Sequence, residues 1–329
     1  MKRRTLLCTL AAATASMPMP AWTQGDGGPP RIGFLYFGSK ESAIKTGRYE
    51  AFIDGMRKLG YAAGQNFVLE ERFAAGDSAL MRAQIADLTK LNVKLLVITG
   101  AQAVHEALRM SGGVPIVTTL TSDPVSQGLA KTLARPGGNV SGLYDSSIEL
   151  LGKQLELLRL VLPNLSSIGV LSHPGNPTHP DRQKRLQELA GPLQVKVQPY
   201  PSASQADIDA AFDRMARGKI QALLVLADTF FVQHARHIAQ LAIKHRLPSI
   251  ALSRDFAEAG GLLSYGEDVV DNFRLAAAYV DKILKGAAPG DLPFARSSRI
   301  EMTGNNATFR ALGLKPPSEI ALRADRWIE

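Results

Sequence analysis

The residues best placed for chemistry lie in short polar, glycine-rich loops that follow apolar, β-branched runs. These are Gly38-Ser39-Lys40, Gly100-Ala101-Gln102, Thr121-Ser122-Asp123-Pro124, Tyr144-Asp145, His173-Pro174-Gly175-Asn176-Pro177, Asp228-Thr229 and Ser253-Arg254-Asp255. Open parallel sheets bind ligands just beyond the carboxyl ends of their strands, which is where such loops fall. Gly100-Ala101-Gln102 opens a helical pattern, so its free N–H groups and the helix dipole suit a carboxylate or phosphate; a plain helix start has the same features. Asp123 suits an ammonium group, or the cap of a turn ahead of a helix expected over residues 127–133. Asp228 ends an apolar run and faces the same choice, ligand group or cap of a helix starting near Phe230. A ligand role would give each half of the chain one acid facing a common cleft.

Enzymatic and nucleic-acid patterns are missing. The six histidines fit no nucleophile elbow and no zinc motif, and His234 and His237 lack the intervening Glu of a metalloprotease helix, so they read as surface residues rather than metal ligands. No G-x-G-x-x-G follows the first apolar run and no Walker A sequence exists, so no cofactor is expected. Cys8 is the single cysteine, so disulfides and thiol chemistry are not expected. The 38 basic against 30 acidic residues give +8, to which Lys2, Arg3 and Arg4 contribute without an acid nearby. The densest charged run, residues 181–185, reads as a solvated helix face rather than a nucleic-acid patch, leaving a mild bias toward anionic ligands.

Apolar runs at 31–37, 67–73, 95–99 and 115–120 predict strands, and helical spacing of Tyr49, Phe52, Ile53, Met56 and Leu59, and more weakly of Leu80, Leu88 and Leu91, predicts helices between them. The series starts again with strands at 167–172, 196–200, 222–227 and 249–253, separated by helices whose faces carry Ile208, Ala211, Phe212 and Met215, then Ile238, Leu241 and Ala242. Strands alternating with helices imply parallel sheets covered on both faces. The fold class expected is α/β: two doubly wound parallel-sheet lobes, with Gly137-Gly138-Asn139-Val140-Ser141-Gly142 marking the joint. A late helix at 272–284 and a last strand at 299–302 follow both series, so the chain is expected to recross between the lobes and make a multi-strand hinge near 141–147, 265–269 and 294–299.

The N-terminus reads as a secretory signal. Met1-Lys2-Arg3-Arg4 is cationic, residues 5–15 form an apolar stretch of about 11 residues, too short for the ~20 of a membrane span, and small residues at Ala13, Ala15 and Ala21 offer cleavage points. Arg3-Arg4 ahead of Thr5-Leu6-Leu7 also loosely fits a twin-arginine signal, which leaves the export route open. The expected divisions are a signal peptide at 1–25, a first lobe of 30–143 plus 268–294, and a second lobe of 144–267 plus 295–329.

Several segments resemble the tryptophan-transporter-type ABC solute-binding family, of type I periplasmic-binding-protein fold. They are residues 31–35 (RIGFL), 52–61 (FIDGMRKLGY), 122–129 (SDPVSQGL), 134–142 (ARPGGNVSG), 259–266 (AGGLLSYG), 277–286 (AAYVDKILKG) and 311–314 (ALGL). The stretch from Asp123 to Gly142 is the most specific of them. The resemblance implies a periplasmic, monomeric receptor without catalysis, whose lobes close on a small polar solute and present it to an ABC permease in the membrane; aromatic amino acids are among the family's ligands. It places Ser39, Gln102, Ser122 and Asp123 in the site from one lobe, with Tyr144, Asn176, Asp228 and Tyr265 from the other lobe or hinge, beside the Gly100 and Ala101 already read from the helix start. A sensory module feeding a signalling partner would share this fold, and a secreted α/β enzyme is the remoter alternative.

Overall fold

The computed structural model describes residues 28–297 and 299–329, so the expected signal at 1–25 lies outside the described residues. The first lobe begins with β1 (Arg31–Tyr36), α1 (Lys40–Lys45), α2 (Arg48–Lys58) and β2 (Val68–Phe73). It continues through α3 (Ser78–Lys90), β3 (Leu95–Thr99), α4 (Ala101–Met110), β4 (Ile116–Leu120) and β5 (Val140–Gly142). These strands form one sheet, ordered β2-β1-β3-β4-β5 and parallel throughout. Its central strands are apolar on both faces, and β3, with its five residues Leu-Leu-Val-Ile-Thr, is wholly buried, as a strand covered by helices on both sides must be.

The second lobe repeats the scheme with α5 (Ser147–Val161), β6 (Ser167–Ser172), α6 (His179–Ala190), β7 (Lys196–Pro201), α7 (Gln205–Arg217) and β8 (Ala222–Val225). Then come α8 (Thr229–Gln233), α9 (Ala235–Lys244), β9 (Ser249–Ala251), α10 (Arg254–Glu258) and β10 (Leu263–Glu267). After α11 (Val269–Leu284) the chain adds β11 (Ile300–Asn305), α12 (Asn306–Ala311), α13 (Ser318–Arg323) and β12 (Arg326–Ile328). The second sheet is ordered β12-β11-β10-β9-β8-β6-β7, parallel except where β11 runs antiparallel to β10. The strand expected to be last, at 299–302, is therefore β11, and the short β12 extends the sheet beyond it.

Two helical expectations need correction. Residues 127–133 form turns rather than a helix: the N–H groups of both Leu129 and Ala130 bond back to the Pro124 carbonyl, and Gly128 sits at φ +70°. In α3 the buried stripe is Met81, Ile85 and Leu88, while Leu80 is exposed.

Helix α11 leaves the second lobe to pack on α2 and β4 of the first, burying Phe273, Ala276, Ala277 and Val280. Gly55 permits the close approach, because a Cβ there would stand 2.6 Å from the Arg274 carbonyl oxygen. The chain thus passes between lobes after β5, after β10 and before β11. These passages are laced together. Tyr144 N–H donates to the Ala295 carbonyl at 2.9 Å, Asp268 N–H to Arg299 at 3.0 Å, and Ser146 N–H to the Glu267 carboxylate at 3.2 Å. Glu267 is buried; burial raises its pKa above the usual carboxylate value, with Asp145 adding to the effect and Ser146 opposing it.

Candidate functional site

The ends of β1, β3 and β4 face those of β6, β8 and β9 across a cleft, and the lobes touch across it. Ser39 N–H donates to Gln233 Oε1 at 3.0 Å, and the Phe37 ring meets the His173 ring edge-on, with centroids 6.0 Å apart. The space between the lobes is divided in two by a shared wall of Leu120, Ala227, Asp228 and Thr229.

On the side of α2 and α11 the lining is apolar. Val225, Leu226 and Leu252 come from the ends of β8 and β9, while Phe231, Phe256 and Phe273 project from helices. Its one buried cation is Arg48, at the start of α2. Arg48 Nη1 donates to Tyr36 Oη at 3.0 Å, and Nη2 reaches over to the second lobe, to Ser253 Oγ at 3.2 Å and Asp255 Oδ2 at 2.5 Å. Burial works against its charge, but Asp255 and Tyr36 outweigh it and hold the guanidinium protonated.

On the side of α4 the lining is polar: Gly100, Ala101, Gln102, Thr121, Ser122, Asp145, Asn176, Thr178 and Arg182, with Phe37. Gly100 caps α4 at φ +99°, a left-handed conformation that favours glycine. No side chain caps the first turn of α4, and its residues Gly100, Ala101 and Gln102 line this compartment. Arg182 Nη1 donates to the Ala227 carbonyl at 2.9 Å; Nη2 donates to Ser122 Oγ and to the Asp145 carboxylate at 3.3 Å and 3.4 Å. Asp228 Oδ1 accepts from Phe230 N–H at 2.8 Å and Oδ2 from Asn176 Nδ2 at 2.7 Å. Behind it His179 accepts from His173 N–H through Nδ1 at 2.8 Å and donates from Nε2 to Ala227. Burial brings the His179 pKa down to about 4, although Asp228 pulls the other way, so the ring is neutral at pH 7.

Three buried polar atoms of this lining, Gln102 Oε1, Thr121 Oγ1 and Arg182 Nε, have no hydrogen-bond partner among the described residues. Buried polar groups are rarely left unpaired, so the arrangement suits a polar molecule between the lobes. No group of three or more His, Cys, Asp or Glu among the described residues is disposed to hold a metal ion.

Of the residues singled out from the sequence, Gly100, Ala101, Gln102, Ser122, Asn176 and Asp228 come together here. Asp228 is a cap and a cleft residue at once. Ser39 caps α1 through Ser42 N–H and lines a groove at the mouth between the lobes with Lys45, Gln233 and His234. Asp123 lies outside both compartments, its carboxylate bound to Val125 N–H at 3.0 Å. Tyr144 lies on the first passage between lobes, under the Arg296 guanidinium, and Tyr265 is in β10 against the second-lobe core. The second acid of the cleft is Asp145, not Asp123.

Sequence reasoning missed Arg48 and Arg182. Arg182 belongs to the run read as a solvated face, yet it is 3% exposed because that face of α6 turns into the cleft. The aromatic wall was missed for a related reason: Phe231, Phe256 and Phe273 look like ordinary core residues of their helices.

Residues 38–328 match the model of the family described as ABC transporter substrate binding protein. The chain belongs to that family. A family of transporter substrate-binding proteins is one of receptors rather than enzymes. The chain is 26% identical over 267 residues to the "Tyrosine-binding protein" of Clostridioides difficile (strain R20291), covering 81% of this chain and 76% of that one. A Streptococcus structure, an ABC domain in complex with L-Trp, superposes with a TM-score of 0.83 over 91% of this chain and 100% of that chain, at 23% identity. The ligand-free, open structure of a Clostridium difficile substrate binding protein with adhesive properties gives 0.61 at 25% identity, over 91% of this substrate-binding chain and 99% of that one. The cross-cleft contacts of this family member correspond to lobes drawn together.

Proposed function

We propose that this chain is the extracytoplasmic receptor of an ABC importer and that its solute is an α-amino acid with a large, preferably aromatic side chain. The observation that carries this reading is the division of one cleft into an apolar, phenylalanine-lined compartment and a polar one, with Asp228 in the wall between them. An amphiphilic solute fits across such a wall. Its carboxylate is received by the first-turn N–H groups of α4, Ser122 and Arg182. Its ammonium is received by Asp228, whose two oxygens each accept a single hydrogen bond within the protein and retain further lone pairs. The side chain occupies the apolar compartment. The names of the relatives, one tyrosine-binding and one holding L-Trp, support the aromatic class.

The lobes would be 30–143 plus 268–294 and 144–267 plus 295–329, closing around the solute by population shift and presenting the closed form to a membrane permease. Residues 1–25 would direct export to the periplasm and be removed, leaving a monomer. Calorimetric titration with L-tryptophan, L-tyrosine and L-phenylalanine tests the reading, alongside tryptamine and 3-indolepropionate, which lack the carboxylate and the ammonium respectively. Saturable binding of the amino acids and loss of it for both analogues is expected. Binding that ignores removal of either charged group would exclude the assignment.

A further inference from the structure

The apolar compartment is not uniformly apolar, and its exception has an incomplete set of partners. Arg48 is 2% exposed, and both of its Nη atoms are engaged, by Tyr36, Ser253 and Asp255. Its Nε is also buried and has no partner among the described residues. Among the buried side-chain polar atoms of this compartment, Arg48 Nε alone is in that position. Thr99 Oγ1 is paired with Thr119 at 2.7 Å, Ser253 Oγ donates to Asp255 at 2.6 Å, and Asp228 is bound on both oxygens.

We infer that Arg48 is a specificity-determining residue that offers its Nε–H to a neutral oxygen acceptor on the solute's side chain, selecting a phenolic amino acid over a plain phenyl or indole one. This deepens the amino-acid reading above and rests on it. Guanidinium is a donor only, as is the indole N–H, so an indole placed against Arg48 sets two donors facing each other, whereas a phenol oxygen accepts. The acceptor has to be neutral, since Asp255 already balances the guanidinium charge, and a second carboxylate would be driven against Asp255 in a dry site. A phenyl ring fills the same walls of Phe231, Phe256 and Phe273 but leaves Nε unpaired. Sites built to bond a hydroxyl reject the analogue that lacks it more strongly than apolar pockets reject a missing methylene.

Calorimetric titration of the full chain with L-tyrosine, L-phenylalanine and L-tryptophan, repeated on Arg48→Met, is the test. Tyrosine is expected to bind the wild type at least about tenfold more tightly than phenylalanine or tryptophan, and the ratio should fall close to one in the variant. A wild-type preference for phenylalanine or tryptophan, or a tyrosine preference that survives in Arg48→Met, overturns the inference while leaving amino-acid binding intact. Failure of all three to bind overturns both. Should Arg48→Met not fold, the Nε–Hε resonance of Arg48 in the wild type replaces it: a shift with tyrosine and none with phenylalanine supports the role, and equal responses overturn it.

Discussion

Two buried guanidiniums face the same cleft, and they differ in what they hold. Arg48 starts on the first lobe, and its carboxylate partner, Asp255, is wholly on the second. Arg182 starts on the second lobe, but its carboxylate partner, Asp145, lies on the passage between lobes, and only Ser122 belongs to the opposite side. Separating the lobes therefore breaks the Arg48 ion pair outright and costs Arg182 mainly a hydroxyl contact. The lesson is that similar burial of the same residue type can serve different ends, one arginine fastening the two lobes to each other and the other consolidating a passage between them.

The contrast is most exposed to Arg182→Met. Asp145, 4% exposed, is left without its cation, so stability measured by urea denaturation should fall by about 3–5 kcal/mol. A loss no larger than that of Arg48→Met would remove the distinction. Next is the acid sensitivity of the region behind Arg182. The folded-state pKa of His179, about 4, lies below the ordinary 6.5. The unfolded chain therefore binds the proton first, and stability falls as pH drops from 6.5 toward 4, by on the order of 2–3 kcal/mol. Melting curves of His179→Gln should show a shallower slope across that window; an unchanged slope would point to other groups. Arg48→Met should cost less, about 1–3 kcal/mol, because Asp255 is 11% exposed and keeps Ser253. The same variant should enlarge the radius of gyration measured by small-angle scattering without added solute, and an identical radius would argue against a fastening role. The smallest stability effect is expected for Asp228→Ala, about 1 kcal/mol from the lost cap on α8. Its solute affinity should drop at least about tenfold through the lost charge-assisted contact, so a stability loss with unchanged affinity would reduce Asp228 to a cap.

How much of this was legible in the sequence depends on which part of an element carries the residue. Strand-end loops can be read from composition, and that rule found Gly100, Gln102, Ser122, Asn176 and Asp228. It has no access to side chains that reach the cleft from within helices, so Arg48 and Arg182 escaped it. A charge run does not announce which of its members turns inward. Tyr144 and Tyr265, placed in the site by family resemblance, stand on a passage between lobes and in a strand, outside either compartment. The recrossing helix was legible because Phe273, Ala276, Ala277 and Val280 recur at helical spacing after both series of strands were complete. The β12 strand, Arg326–Ile328, was not, since its three residues are too few to show a period.

The placement of α11 bears on the order in which the molecule can be made. The first lobe's strands are synthesised early, but the faces of Phe52 and Met56 on α2 are covered by residues near the chain's far end. Until the ribosome has passed Leu284, that lobe carries an open apolar flank, and the non-local contact that closes it spans nearly the whole second lobe. The earlier half must then wait for the later one, so an emerging chain would remain a substrate for chaperones until late, and a fragment ending after β5 would be prone to aggregate.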